Sequence, residues 1–564
     1  MTAPGASKGD EARSGRWRRI GSDARAGLVH GLVSAPDGLA SGLLAGLSPV
    51  AGLYGYLFGM VAGALTTSSV LMTVQATGAM AVIIADVPEV RGGDNPAGAL
   101  AMLGLLTGLI MLTLGLLRLG SLVRFVPHTV LTGFVGAVAI NIILSQFADF
   151  TGFASDAGNR LFRAISTLIN VAAWHAPTVL LGALTVVLII LLEKTRLSSL
   201  GLFVAVVIVS ALGQLPFFGE VQQLSDIAEI PPGLPLPVLP ALDTIGPLLI
   251  PAFSLALIGL IQGAAISQAV PQPDGSFSNV SGDFRGQGIA NIVSAFFRGV
   301  PVAGSLSGTA VLTAAGARSR LGNLFAGAVM IIVILLFSEL AGSISMPALA
   351  GLLMLIGARM FKPRRLWGVI KTGPTQAVVT SITFALTLLV PLQYAVLVGV
   401  GISVILFVVG RANRVKVVRW VPTDGPFPRE EPPPAELSAR DIVILHGYGS
   451  LFFASAEPFI SQLPVATTES RGAVVILRLR GADDLGSTMI TALLRYRAEL
   501  VAAGCSLVLC GVADDVMRQL VASGALATFE ETHVFAATPI VSESLTAAVE
   551  FARELAGESS AGSQ

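Results

Sequence analysis

FFRGVPVAGSLSGTAVLTAAGARS (residues 296–319) is the stretch on which the fold turns. A loop with Gly299 and Pro301 and a cluster of small residues, Gly304, Ser305, Ser307, Gly308 and Thr309, open an apolar run at 305–316. That run is too short for a bilayer crossing of about 20 residues. SVLMTVQATGAMAVIIADV (69–87) has the same build, with Gln75, Thr77 and Gly78 at the head of a short run at 77–86. Each reads as a half-helix that starts at the membrane midplane. Two such starts would aim backbone N–H groups and positive dipole ends at one another, an arrangement that attracts an anion. The same residue types also serve as helix N-caps and close-packing contacts, so the residues alone leave both readings open.

Outward from these stretches, apolar runs recur at 26–47, 50–72, 97–117, 129–148, 176–192, 197–218, 246–270, 322–342, 345–361, 375–391 and 393–410, with a third short one at 287–300 read as another broken crossing. The chain is therefore read as a polytopic α-helical membrane protein, and its 53% hydrophobic content and mean hydropathy of +0.78 exclude a wholly soluble fold. Only 30 of its 70 acidic and basic residues fall between 28 and 410. Arg16, Arg18, Arg19 and Arg25 abut the first crossing, and Arg411, Arg414, Lys416 and Arg419 the last, so both termini are expected in the cytoplasm. The loops with Arg118 and Arg124, Lys194 and Arg196, Arg318 and Arg320, and Lys362, Arg364 and Arg365 follow the same rule. The loop at 214–247, with four acids and no Lys or Arg, is placed outside. Fourteen segments satisfy all these assignments.

From about 420 the sequence turns Pro-rich and charged, as a linker does, and then alternates strand and helix patterns: strands at 441–446, 449–454, 473–479, 505–511 and 532–536, helices at 455–463, 487–502, 513–523 and 540–555. An α/β sheet domain is expected there, with Ser487 as N-cap of its helix. Cys505 and Cys510 have odd spacing and should face opposite sides of a strand as reduced thiols. The expected divisions are a cytoplasmic segment 1–23, a transmembrane domain 24–412, a linker 413–437, the α/β domain 438–556 and a disordered tail 557–564. The opening segment lacks the apolar core of a signal peptide, so no removal is expected.

Two further blocks carry polar groups inside crossings. SAPDGLASGLLAGLSPVAGLYGYLFG (34–59) puts Asp37 in a first crossing rich in glycine, and an intramembrane carboxylate, costing about 3 kcal/mol or more if ionised at a helix centre, marks a site unless it lies near the water-facing end. SLALIGLIQGAAISQAVPQPDG (254–275) places Gln262 near the middle of its run, suited to a substrate or to a helix partner. The five histidines are scattered without ligand spacing, so no metal is expected. No GxxxxGK[ST] loop, catalytic constellation or cofactor motif occurs, which disfavours an ATP-driven pump and an enzyme. Net charge +0 gives no reason to expect nucleic acid.

Taken together, PDGLASGLLAGLSPVAGLYGYLFG, the TGAM start, the VPVAGSLSGTAV start and the C-terminal pattern resemble the sulfate permease family of anion transporters. VILHGYGSLFFASAEPFISQL, VVILRLRGADDLGSTMITALLRY and LVLCGVADDVMRQLVASG are similar to the STAS domain that ends its members. The resemblance implies two inverted seven-segment repeats, about 24–215 and 246–412, in which segments one to four and eight to eleven carry the anion past a gate of the other six. It also implies a homodimer with elevator motion, and an anion seated between Ala79 and Met80 on one half-helix and Ser307 and Gly308 on the other.

Three departures from the family pattern bear on mechanism. Gln262 stands where ion-coupled members have Glu or Asp, Gly308 where mammalian-type members have Arg, and Asp37 where many relatives have a neutral residue. In the C-terminal domain, Gly486 stands where phosphorylated regulators have Asp. The resulting expectation is a secondary transporter of small inorganic or organic anions in the cell (inner or plasma) membrane, with sulfate as the leading substrate. Asp37 would take the proton in symport, its protonation lowering repulsion against the anion. Bicarbonate or dicarboxylate transport, exchange, an anion channel and a membrane-anchored sensor are the alternatives.

Overall fold

The structure is a computed structural model and describes residues 8–120, 127–155, 160–195, 200–227, 233–412, 414–423, 425 and 427–557; Arg124, Arg196 and the tail beyond 557 lie outside these. The chain divides into two compact units, Met1–Ile402 and Ser403–Gln564.

The first unit has the fourteen expected segments: α1 (Lys8–Leu44), α2 (Pro49–Thr66), α3 (Gly78–Ile84), α4 (Pro96–Leu116), α5 (His128–Ser145), α6 (Ala176–Leu192), α7 (Gly201–Gly213), α8 (Ile245–Ala269), α9 (Val280–Phe296), α10 (Leu306–Ala314), α11 (Leu321–Leu336), α12 (Met346–Met360), α13 (Pro374–Leu389) and α14 (Leu392–Ala412), the last running past the boundary between units. Among the described residues, helices at Pro49–Thr66, Pro96–Leu116, His128–Thr151 and Leu242–Ala269 are long and apolar enough to cross a membrane by themselves. The N-terminal basic segment is not separate from the first crossing, because Lys8–Leu44 is one continuous helix through Pro36.

The packing is paired as an inverted repeat requires. α4 lies on α8 as α11 lies on α1, α9 packs against both α2 and α4, and α13 meets α5 as α12 meets α6. Backbones approach closely where side chains are absent: a Cβ on Gly108 of α4 would lie 2.7 Å from the Gly288 carbonyl oxygen of α9. In lipid this close fit replaces the hydrophobic drive that water would supply.

The third short run differs from expectation. The run at 287–300 is not a half-crossing: residues 287–296 are the second half of α9, a 17-residue helix, and 297–300 are the irregular chain that leads on towards the second half-helix. Asp283, Arg285 and Gln287 break the hydropathy there, yet Asp283, Gln287, Asn291 and Ser294 are all fully buried, while Arg285 is exposed. Their spacing of four, four and three puts them on one helix face. That face holds irregular backbone. Asp283 accepts from the Ser69 N–H at 2.7 Å and from the hydroxyls of Ser68, Ser69, Ser267 and Ser278 at 2.6–2.9 Å. Gln287 Oε1 accepts from the Gly304 N–H at 2.9 Å, Asn291 bonds both the N–H and the C=O of Val302, and Ser294 donates to the Val300 carbonyl. Across the unit, Asn323 of α11 donates to the Met72 carbonyl at 2.9 Å and accepts from the Thr73 hydroxyl. An unsatisfied polar group in this setting costs several kcal/mol, so these side chains are what permits extended chain inside the bilayer.

In the second unit, β3 (Lys416–Val421), β4 (Arg429–Glu431), β5 (Ile442–Tyr448), β6 (Val474–Arg478), β7 (Ser506–Val512) and β8 (Val534–Ala536), numbered after the two strands of the first unit introduced below, form one sheet in the order β4-β3-β5-β6-β7-β8. β5 to β8 are parallel, and β3 and β4 extend the sheet antiparallel. The segment read as a linker, 413–437, therefore supplies two strands: the alternating KVVRWV is a half-buried strand that the prolines around it disguised. The expected strand at 449–454 is absent. Gly449, at φ +109°, ends β5, and the chain turns into a 3₁₀ turn at Phe453–Ser455. Cys505 and Cys510 are buried and free and pack into the clusters on the two opposite faces of the sheet, as their spacing implied. Ser487 is not the N-cap. The helix starts at Gly486, and the Gln519 side chain accepts from the Leu485 and Gly486 N–H groups at 3.1 and 3.3 Å instead.

Replacing Asn291 by Leu leaves the Val302 N–H and C=O unpaired, at about 1–3 kcal/mol each. Thermal unfolding of the detergent-solubilised Asn291→Leu protein should be lowered by several degrees, whereas the exposed-site change Arg285→Gln should leave it within a degree.

Candidate anion-binding site

The short strands β1 (Thr73–Gln75) and β2 (Ala303–Ser305) lead into the half-helices α3 and α10 and pair antiparallel, with Thr73 opposite Ser305, Val74 opposite Gly304 and Gln75 opposite Ala303. The pairing fixes the two half-helix starts beside one another. Each start is capped by its own hydroxyl: Ser305 Oγ accepts from the Gly308 N–H at 3.1 Å, and Thr77 Oγ1 accepts from the Met80 N–H at a longer 3.5 Å.

The expected residues divide into a frame and a lining. Thr309 is fully buried, and its hydroxyl donates to the Ser305 carbonyl at 2.7 Å while accepting from the Thr73 N–H at 3.1 Å, so it ties α10 to β1 and has no donor left for a guest. Ala79 and Met80 are buried, whereas Thr77 and Gly78 are half-buried. Ser307 is exposed, with its Oγ 3.1 Å from Ser305 Oγ. On α8, the positions of Gly259 and Gly263 lie against Ala303 and Gly304 of β2, and Gln262 sits on the turn between them. Its Oε1 is buried and has no hydrogen-bond partner.

Gln75 and Asp37 are joined through a residue that sequence reasoning missed. Tyr56 of α2 is buried and donates from its hydroxyl to Asp37 Oδ2 at 2.5 Å, and the same hydroxyl neighbours the side chains of Ser41 and Gln75. Gln75 is itself buried, with an unpartnered Oε1. A Cβ on Gly308 would lie 2.8 Å from that oxygen. Asp37, Tyr56, Gln75 and Gly308 thus form one line from the carboxylate of α1 to the first turn of α10. The signal for Tyr56 was present in GLYGYLFG, a phenol inside a run of small residues, but an aromatic in a membrane helix is usually packing.

Two half-helices set start-to-start by a strand pair, inside paired seven-segment repeats, define a multi-pass membrane transporter fold with a polar site at its centre. The chain belongs to the sulfate permease family, whose sequence pattern matches residues 20–383, and residues 437–538 match the STAS domain. It is an anion transporter of that family, not an enzyme. "Probable sulfate transporter MT1781" of Mycobacterium tuberculosis is 27% identical over 93% of this chain and 94% of its own length. "Bicarbonate transporter BicA" of Synechocystis is 30% identical over 69% of this chain and 70% of its own. Among solved structures, the transmembrane domain of a cyanobacterium bicarbonate transporter BicA matches 69% of this chain and 98% of its own at TM-score 0.59 and 28% identity. SLC26A9 shares the fold over 95% of this chain and 90% of its own at TM-score 0.82 and 20% identity.

Gly308→Ala should weaken anion binding about tenfold by driving the Gln75 amide from its place, and the double variant Gly308→Ala, Gln75→Ser should recover most of it. Isothermal titration of the reconstituted protein reads both; an unaltered affinity in the single variant removes Gln75 from the site.

Proposed function

We propose that this protein imports sulfate across the inner or plasma membrane in symport with a proton taken by Asp37. The observation that carries the reading is the line Asp37–Tyr56–Gln75–Gly308, which couples an intramembrane carboxylate to the first turn of α10 through one hydrogen bond at 2.5 Å and one close approach. The two half-helix ends supply about half a positive charge each. Against them stand the two negative charges of sulfate and one on Asp37. Unit charges about 8 Å apart interact by about 2 kcal/mol at an effective dielectric of about 20, and a dianion doubles that. Protonating Asp37 removes this repulsion, and Tyr56 holds the carboxyl in place in both states. Gln262 cannot carry a proton, so the coupling falls to α1.

In this cycle α1–α4 and α8–α11 move the anion as one body past α5–α7 and α12–α14, an elevator in a homodimer with both termini cytoplasmic. The packing supports that division: α9 binds α2, α4, β2 and the chain that leads into β1 into one block. A second reading, bicarbonate transport, is favoured by the 30% identity to BicA and by charge, since one negative charge balances two half-helix ends without a proton.

Labelled sulfate uptake into proteoliposomes, with and without an inward proton gradient, tests the reading. Uptake should rise severalfold with the gradient, and Asp37→Asn should abolish that rise while leaving gradient-independent exchange. Equal uptake by both proteins under both conditions overturns the coupling. Bicarbonate uptake without sulfate uptake transfers the assignment to the second reading.

A further inference from the structure

Between α12 and α13 the chain forms a short helix, Pro363–Ile370, that crosses nothing. It packs on α13 and α5, where Leu366 comes within reach of the Gly136 position, and Leu366, Val369 and Ile370 are half-buried. Its other side is left uncovered: Trp367 is 60% exposed, and Lys362, Arg364, Arg365 and Lys371 are exposed around it. None of these four cations takes part in an ion pair among the described residues; Arg359, just before them, is bound in two places to Glu193. The sequence has no acidic residue between Glu339 and Asp424, so no carboxylate of the neighbouring chain can neutralise them. Pro363, Arg364, Trp367, Gly368 and Lys371 line an open groove of about 590 Å³.

We propose that this groove holds the headgroup of an anionic phospholipid. The helix lies where two crossings end, which is the depth at which phosphates stand. Indoles collect there because their rings are apolar and their N–H is wet. Charge complementarity selects the occupant: Arg364 and Lys371 flank the ring and offer donors to a phosphodiester, while Trp367 lies along the glycerol and upper acyl chain. Gly368, one residue on, leaves the groove floor open. A zwitterionic lipid would bring its own cation into a cluster that has no anion to receive it. Because α12 and α13 belong to the same six-helix group as α5, a lipid held here braces that group.

Native mass spectrometry of the whole chain, purified and titrated with phosphatidylglycerol against phosphatidylcholine, tests this. The unmodified protein should retain phosphatidylglycerol preferentially. Arg364→Gln and Lys371→Gln should each weaken retention about fivefold, the effect of one cation at a membrane surface. Lys371→Arg should keep it, and Trp367→Ala should lower it without changing headgroup preference. Arg318→Gln, which removes an exposed cation between α10 and α11, should have no effect. Equal loss in Arg318→Gln and Lys371→Gln would mean diffuse surface charge and overturn the site, as would equal retention of both lipids. Displacement of the lipid by millimolar inorganic phosphate would overturn the lipid assignment. Melting temperature of each variant separates loss of the site from loss of fold.

Discussion

Everything at the centre of the membrane unit depends on one requirement: extended backbone cannot stand in hydrocarbon unless each N–H and C=O finds a partner. β1 and β2 are three residues each and, among the described residues, pair with no other strand, which leaves their outer edges and the chain leading to them open. α9 answers on one side with Asp283, Gln287, Asn291 and Ser294, and α11 answers on the other with Asn323. Thr309 closes the remaining gap between α10 and β1. With the strands held in this way, the half-helices have fixed starts set beside one another.

How much of this the sequence discloses depends on whether a residue's role follows from its neighbours along the chain. The half-helices at 77–86 and 305–316 are legible because each short apolar run opens on a hydroxyl that caps it, Thr77 or Ser305; shortness alone misleads, since the run at 287–300 falls mostly within the 17-residue helix α9. α9 is not legible in this way, since a hydropathy reading scores Asp283 and Gln287 as breaks, although D-x₃-Q-x₃-N-x₂-S spacing marks one helix face. β3 is hidden for a similar reason: its alternation is short, and the prolines after it make the whole segment look like a linker. The cap at Gly486 is illegible in principle, because its acceptor, Gln519, comes from another helix.

Among the candidate residues, chain order identifies the members but not their division of labour. Ser305 and Thr309 carry equivalent hydroxyls four residues apart, yet one caps the half-helix while the other is spent on backbone. Gln75 poses the opposite problem. From the sequence it is a polar residue ahead of a half-helix; in the fold it occupies the space above Gly308 and meets the Tyr56 hydroxyl that binds Asp37. Tyr56 joins two stretches of sequence that have no visible link along the chain.

The lack of room for a side chain at Gly308 gives the proposed site its character. A side chain with a fixed cation there would keep its attraction for an anion at every stage of a transport cycle, and release would have to work against it. Here a Cβ would already collide with Gln75, so the first turn of α10 is lined by a neutral amide and by backbone. Helix dipoles are also constant, and the hydroxyls of Ser305 and Ser307 do not ionise in the physiological range. Under the proposed symport, Asp37 is the residue of the line from α1 to α10 whose charge would change between loading and release. If affinity is to differ between the two faces of the membrane, that difference has to come from its proton or from movement of the whole block that α9 binds together.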